Sequence, residues 1–125
     1  MKPPGDQRDR RTGERILVVD DDADVRKMLR RVFEPRYQVV EAEDGLAAWD
    51  ILPTFQPAIL VTDIEMPGLD GLSLCRKVRA AGFPRLKIII YTGRPVTADE
   101  LRSAGADEVV LKTEPLSRLR ELVAS

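Results

Sequence analysis

Four of the five short apolar runs in this chain end at, or just before, a polar residue able to do chemistry. Ile16–Val19 runs into Asp20 and Asp21, Ile59–Val61 leads to Asp63, Ile88–Tyr91 ends at Thr92, and Val109–Leu111 ends at Lys112. Between the runs lie stretches of helical periodicity, and strands that alternate with helices build a parallel sheet covered on both faces through right-handed crossovers. Such sheets carry their ligands beyond the carboxyl ends of the strands, near the point where the strand order reverses. Three carboxylates, a hydroxyl and an ammonium therefore converge on one edge. That set suits a divalent cation held together with a phosphoryl group.

The pattern is regular from Arg15 onward. Ile16–Val19 is continuously apolar, as a central strand buried on both faces must be. Asp22 or its neighbour caps a helix whose Val25, Met28, Leu29, Val32 and Phe33 share one face, and Pro35 stops it. Tyr37–Ala42 reads as a more polar strand near a sheet edge, and Gly45–Leu52 as a helix ended before Pro53. Ala58–Thr62 is a third strand, and Leu72–Ala81 a helix closed by Gly82. Leu86–Tyr91 and Glu108–Leu111 are the last strands, followed by helices over Thr97–Ala104 and Pro115–Ala124. Residues 1–14 combine Pro, Gly and charge without apolar periodicity and read as a flexible extension to a domain spanning 15–125. A stand-alone domain and a piece of a longer protein both fit this pattern.

Composition narrows the chemistry. A chain of 125 residues with 43% apolar and 33% charged content supports one soluble domain with a real core. Its formal net charge of −1 provides no field for nucleic acid or an acidic membrane. No apolar run approaches a membrane span, and the N-terminus lacks a signal-peptide core. Cys75 is alone, so no intramolecular disulfide forms, and a reducing cytoplasm is the expected compartment. There is no histidine. That removes Ser-His triads, Cys-His pairs, imidazole zinc sites and any phosphohistidine on this chain.

Taken singly, each polar residue has an ordinary reading. Asp20–Asp22 resembles an acidic helix N-terminus, Asp63 a turn residue before Pro-Gly, and Thr92 and Lys112 plain strand ends. All of these would have to hold at once, at the same ends of successive strands. One shared site is the simpler account. Crowded carboxylates repel and raise one another's pKa, and a hard cation relieves this. Oxygen-only ligands select Mg²⁺ or Mn²⁺, which also accept phosphoryl oxygens. Asp63, after the central third strand, is the best placed nucleophile. Lys112 can pair with Asp63 when the site is empty and with a phosphoryl oxygen when it is filled, and Thr92 can donate to a second oxygen.

These residues resemble the receiver domain of two-component response regulators over Ile16 to about Val123. The resemblance is carried by ILVVDDD at 16–22, LVTDIEMPGLDGLSLCRKVR at 60–79, the pair Tyr91-Thr92, and AGADEVVLK at 104–112. It implies a doubly wound, flavodoxin-like (βα)5 fold with strand order 2-1-3-4-5. It also implies Asp63 as phosphoacceptor, Asp20 and Asp21 as the acidic metal pair, and Glu65 as a metal ligand through its backbone carbonyl. Thr92 would be the switch hydroxyl and Lys112 the phosphate-pairing lysine. The phosphoryl donor would be a histidine on a partner kinase or a histidine phosphotransfer protein, and a downstream protein would read the result.

The chain departs from the family pattern at three positions. Thr113 replaces the proline that usually follows the lysine, and a trans peptide with a reshaped turn is expected, because a non-proline cis bond costs about 3 kcal/mol. Val109 stands where an aromatic switch ring is usual. Gly93 replaces an alanine and leaves more room at the phosphoryl pocket. The helix at Thr97–Ala104 is also short, so the acceptor set is complete while the usual output face is altered. A receiver-like interaction module with vestigial phosphorylation is the alternative. An Asp-nucleophile metal hydrolase, which needs a carboxylate where Glu65 stands, is a third reading that the following Met-Pro-Gly does not favour. Glu65 and Arg94, each two residues past a site residue, are candidates to pair across the opening.

Overall fold

The computed structural model describes residues 13–83 and 85–125, so most of the expected N-terminal extension lies outside the described residues. Five strands alternate with five helices: β1 Arg15–Val19, α1 Ala23–Phe33, β2 Gln38–Ala42, α2 Gly45–Phe55, β3 Ile59–Thr62, α3 Gly71–Ala80, β4 Lys87–Thr92, α4 Ala98–Ala104, β5 Glu108–Leu111 and α5 Leu116–Ala124. The strands form one sheet in the order β2-β1-β3-β4-β5, and every pairing is parallel. This is the doubly wound order expected, with the more polar β2 at one edge.

The two-residue period of the strands divides the core into two layers. Leu17, Val19, Leu60, Ile88 and Ile90 face α2, α3 and α4, where they meet Leu52, Leu74, Val78 and Ala104. Ile16, Val18, Val61, Ile89 and Tyr91 face the other way, against Leu29 and Phe33 of α1 and Leu119 and Val123 of α5. The continuous apolar runs of β1, β3 and β4 are needed because both faces are covered. Tyr37 lies just before β2; its buried ring meets Phe33 edge-on at 6.0 Å.

One boundary differs in a way that tertiary contacts explain. Helix α2 continues through Pro53 to Phe55 and ends at Gln56 in the left-handed region, φ 49°. A proline in the last turn forfeits one intrahelical bond. The Arg15 side chain secures that turn from β1, donating to the carbonyl of Phe55 at 2.7 Å and to that of Gln56 at 3.0 Å. The neighbouring α2 and α3 also touch through a cation–π contact, with the Lys77 ammonium 4.8 Å from the centroid of Trp49.

On the far side of α3, Arg79 straps three segments together. Its guanidinium donates to the carbonyls of Gly105 (2.8 Å) and Phe83 (2.6 Å) and to the carboxylate of Asp107 (3.0 Å). The same Asp107 oxygen accepts the Ile88 N–H at 2.8 Å, so the strap reaches the start of β4. Arg79→Ala removes all three charge-assisted bonds and is expected to cost about 2 kcal/mol, roughly 8 °C in thermal midpoint. Thermal unfolding followed by circular dichroism checks this; a midpoint within a degree of wild type refutes the strap.

Candidate functional site

The sheet register brings the acidic residues together. Val19 pairs with Thr62, so Asp20 and Asp63 are the next residues on adjacent strands, and the Asp63 N–H donates to the Val19 carbonyl at 3.0 Å. Carboxylate oxygens of Asp20, Asp21 and Asp63 all lie within 4.8 Å of one another. Asp20 and Asp63 are buried, whereas Asp21 is exposed at the mouth. Asp22 does not join them: its side chain accepts from the Asp24 N–H and caps α1.

Lys112 reaches back across the end of β4 to the two buried carboxylates. Its ammonium lies 2.8 Å from Asp20 Oδ2 and 3.1 Å from Asp63 Oδ2. Burial pulls the ammonium down, but the hydrogen bonds to Asp20 and Asp63 outweigh it and hold the pKa above the ordinary lysine value. Burial pushes the Asp20 carboxyl up, and the Asp63 charge adds to this. Lys112 and the Asp22 N–H oppose the rise without cancelling it. The two directions are compatible, since two buried carboxylates share one ammonium. The Tyr91 ring lies beneath that ammonium at 5.9 Å, a contact that no sequence spacing announces.

The loop after Asp63 explains its glycines. The Ile64 N–H donates to Asp63 Oδ1 at 2.7 Å, and the Gly71 N–H closes the loop on the Ile64 carbonyl at 2.8 Å. A Cβ on Gly71 would stand 1.8 Å from the Asp63 carbonyl oxygen, so any side chain there displaces the Asp63 backbone. Gly68 turns the loop with φ 77°, a conformation that glycine adopts without strain. The buried Ile64 and Met66 anchor the segment in the core, leaving Glu65 exposed.

Thr92 is buried at the end of β4, and its hydroxyl accepts the Arg94 N–H at 3.2 Å. Gly93 is exposed, and a Cβ on it would touch nothing within 4 Å, so an alanine methyl would be accommodated equally well. Arg94 does not pair with Glu65. It pairs with Glu100, at 3.3 and 3.4 Å, and Glu100 also completes a capping box with Thr97 at the start of α4. A carboxylate already fixed by that box captures the guanidinium at little entropic cost. Val109 is half-buried against the α2–α3–α4 core layer. The Lys112–Thr113 bond is trans, and the turn closes when the Glu114 N–H donates to the Leu111 carbonyl and the Leu111 N–H to Glu114 Oε2, at 2.9 and 2.6 Å.

The donor chemistry fits a hard divalent cation. The side-chain donors are carboxylate oxygens, with Asp21 on the solvent side, and Asp20, Asp21 and Asp63 would hold such an ion.

Fold and site together define a doubly wound α/β domain with an acidic cluster and a lysine at the switch point of its sheet. A family model for the response regulator receiver domain matches residues 16–124, and the chain belongs to that family. The response regulator MprA of Mycobacterium avium is 41% identical over 116 residues, covering 87% of this chain and 50% of the relative; the chain thus spans about half the length of such curated relatives. Response regulator TrrA of Thermotoga maritima, solved in complex with Mg²⁺-BeF, is 34% identical with a TM-score of 0.80 over 89% of this chain and 96% of that one. A response regulator receiver protein of Pseudomonas putida is 30% identical with a TM-score of 0.82, covering 90% and 97%.

Proposed function

We propose that this domain is the phosphoacceptor switch of a two-component phosphorelay. A sensor histidine kinase or a histidine phosphotransfer protein supplies the phosphoryl group. A carboxylate oxygen of Asp63 attacks phosphorus, the P–N bond to the donor imidazole breaks, and a P–O bond to Asp63 forms. Mg²⁺, or Mn²⁺ in its place, would be held by Asp20, Asp21, Asp63 and the Glu65 backbone carbonyl, and would offset charge on the transferring phosphoryl oxygens. Lys112 then moves its ammonium from Asp63 to a phosphoryl oxygen, and Thr92 turns its hydroxyl from the Arg94 N–H to another, beside the open Gly93. The domain is an acceptor rather than an enzyme, with self-dephosphorylation its only turnover, and it signals to a downstream protein by conformational change. We place it in the cytoplasm; among the described residues no helix is long and apolar enough to cross a membrane.

One observation carries this reading: the Lys112 ammonium bridges Asp20 and Asp63 while Asp21 stands within 4.8 Å of both. The constitutive interaction module remains the second reading, supported by Val109 in place of a ring and by the Thr113 turn. Mg²⁺ titration followed by amide NMR or calorimetry tests the first. At ten times its Kd, Mg²⁺ is expected to stabilise the wild-type fold by about 1.4 kcal/mol. Asp21→Asn is expected to lose most of that gain; if it binds Mg²⁺ as well as wild type, the metal assignment is wrong.

A further inference from the structure

We infer that Arg26, aimed by Glu41, is a positioning residue for the acidic pair and sets how well Asp20 and Asp21 meet a divalent cation. The inference rests on the cation-dependent reading above. Arg26 Nη1 donates to the backbone carbonyl of Asp20 at 2.7 Å, and its Nε donates to Glu41 Oε1 at 3.2 Å. Glu41, on the edge strand β2, is gripped at its other oxygen by Arg30 Nε at 2.6 Å. That hydrogen bond holds the Glu41 carboxyl below the usual carboxylate range, with Arg26 adding to the effect, so Glu41 stays ionised beside its two guanidinium groups. The Arg26 side chain is only 16% exposed, which keeps water from competing for both bonds.

The carbonyl that Arg26 holds belongs to the peptide unit joining Asp20 to Asp21. That unit is planar, so fixing its oxygen fixes the direction in which Asp21 departs. The Asp20 N–H is tied to the Ala42 carbonyl at 3.2 Å, and the Asp20 carboxylate to Lys112. Asp21 has no such restraint: among the described residues no hydrogen bond holds its carboxylate. Its aim depends on the backbone, and Arg26 holds that backbone against β2.

Charge and positioning predict opposite signs for the loss of Arg26. A guanidinium near an acidic site repels a cation, so by charge alone Arg26→Ala would tighten Mg²⁺ binding. As a positioning residue, its loss weakens binding by about tenfold, the scale on which groups behind metal ligands act. The test is Mg²⁺ titration of the full chain by amide NMR, with the spectrum itself reporting the fold. Arg26→Ala is expected to bind about tenfold more weakly. Arg26→Lys, which keeps the charge but cannot span both acceptors, is expected to fall between it and wild type, and it carries the test if the alanine variant fails to fold. Lys27→Ala, which removes an exposed charge of the same sign on the same helix, is expected to bind as wild type or slightly tighter. Folded Arg26 variants that bind as tightly as wild type overturn this inference alone. A wild-type protein that binds no Mg²⁺ overturns the cation reading and this inference with it.

Discussion

Incubation with acetyl phosphate and Mg²⁺ is expected to add a single phosphoryl group to the wild-type protein and none to Asp63→Ala. Asp63 shares the Lys112 ammonium with Asp20 on the adjacent strand, and it alone of the two has its backbone locked by the close approach of Gly71. Removing the nucleophile of a covalent transfer leaves no alternative route, so labelling should fall by roughly a thousand-fold or more. The gain of about −1.5 to −2 charge at neutral pH also makes the product visible on a native gel. Intact mass spectrometry settles the matter. Full labelling of Asp63→Ala would assign the acceptor elsewhere, and an unlabelled wild type with every donor would favour the constitutive interaction module.

Lys112→Ala should separate chemistry from cation binding. Loss of a preorganised cation aimed at developing phosphoryl charge costs about 10²-fold in transfer rate, near 2.7 kcal/mol. Mg²⁺ should bind more tightly, because three carboxylates then face the cation without a competing ammonium. Stability shows the third consequence. The folded-state pKa of Asp20 already stands above its ordinary value of 3.8, chiefly through burial. A group shifted this way stabilises the fold when protonated, and the contribution is lost as pH rises from the ordinary value through the raised one. Without Lys112 the shift grows, so the variant should gain thermal stability on acidification from neutrality toward pH 4, or on addition of Mg²⁺ at neutral pH. If Lys112→Ala transfers phosphate at the wild-type rate, the ammonium is a structural partner only.

The architecture was legible because the strands are buried on both faces, and continuous apolar runs such as Ile88–Tyr91 have few other uses. The acidic cluster was legible for a related reason: strand ends in a parallel sheet have a known address, and the Val19–Thr62 register realises it. The partners of the arginines are not legible in the sequence. Arg26 and Arg79 each tie their helix to other elements, Arg26 through the Asp20 carbonyl and the Glu41 carboxylate, Arg79 through the Gly105 and Phe83 carbonyls and the Asp107 carboxylate. Nothing in local spacing marks such a target. Arg94 shows the converse, since two residues past Thr92 suggested Glu65 as its partner. The capping box instead places Glu100 within reach on the same side of the loop. Pro53 was read from its missing donor, whereas the Arg15 anchor that carries α2 past it comes from a strand 40 residues away.

The single tryptophan of the chain has an optical consequence. With the Lys77 ammonium on its face, the Trp49 indole senses the field at the seam between α2 and α3. Its emission is therefore a gauge of how those two helices sit together. In denaturant it reports the layer built from α2, α3 and α4. A fluorescence midpoint that coincides with the far-ultraviolet dichroism midpoint would establish that the two layers, which share only the sheet between them, melt as one cooperative unit.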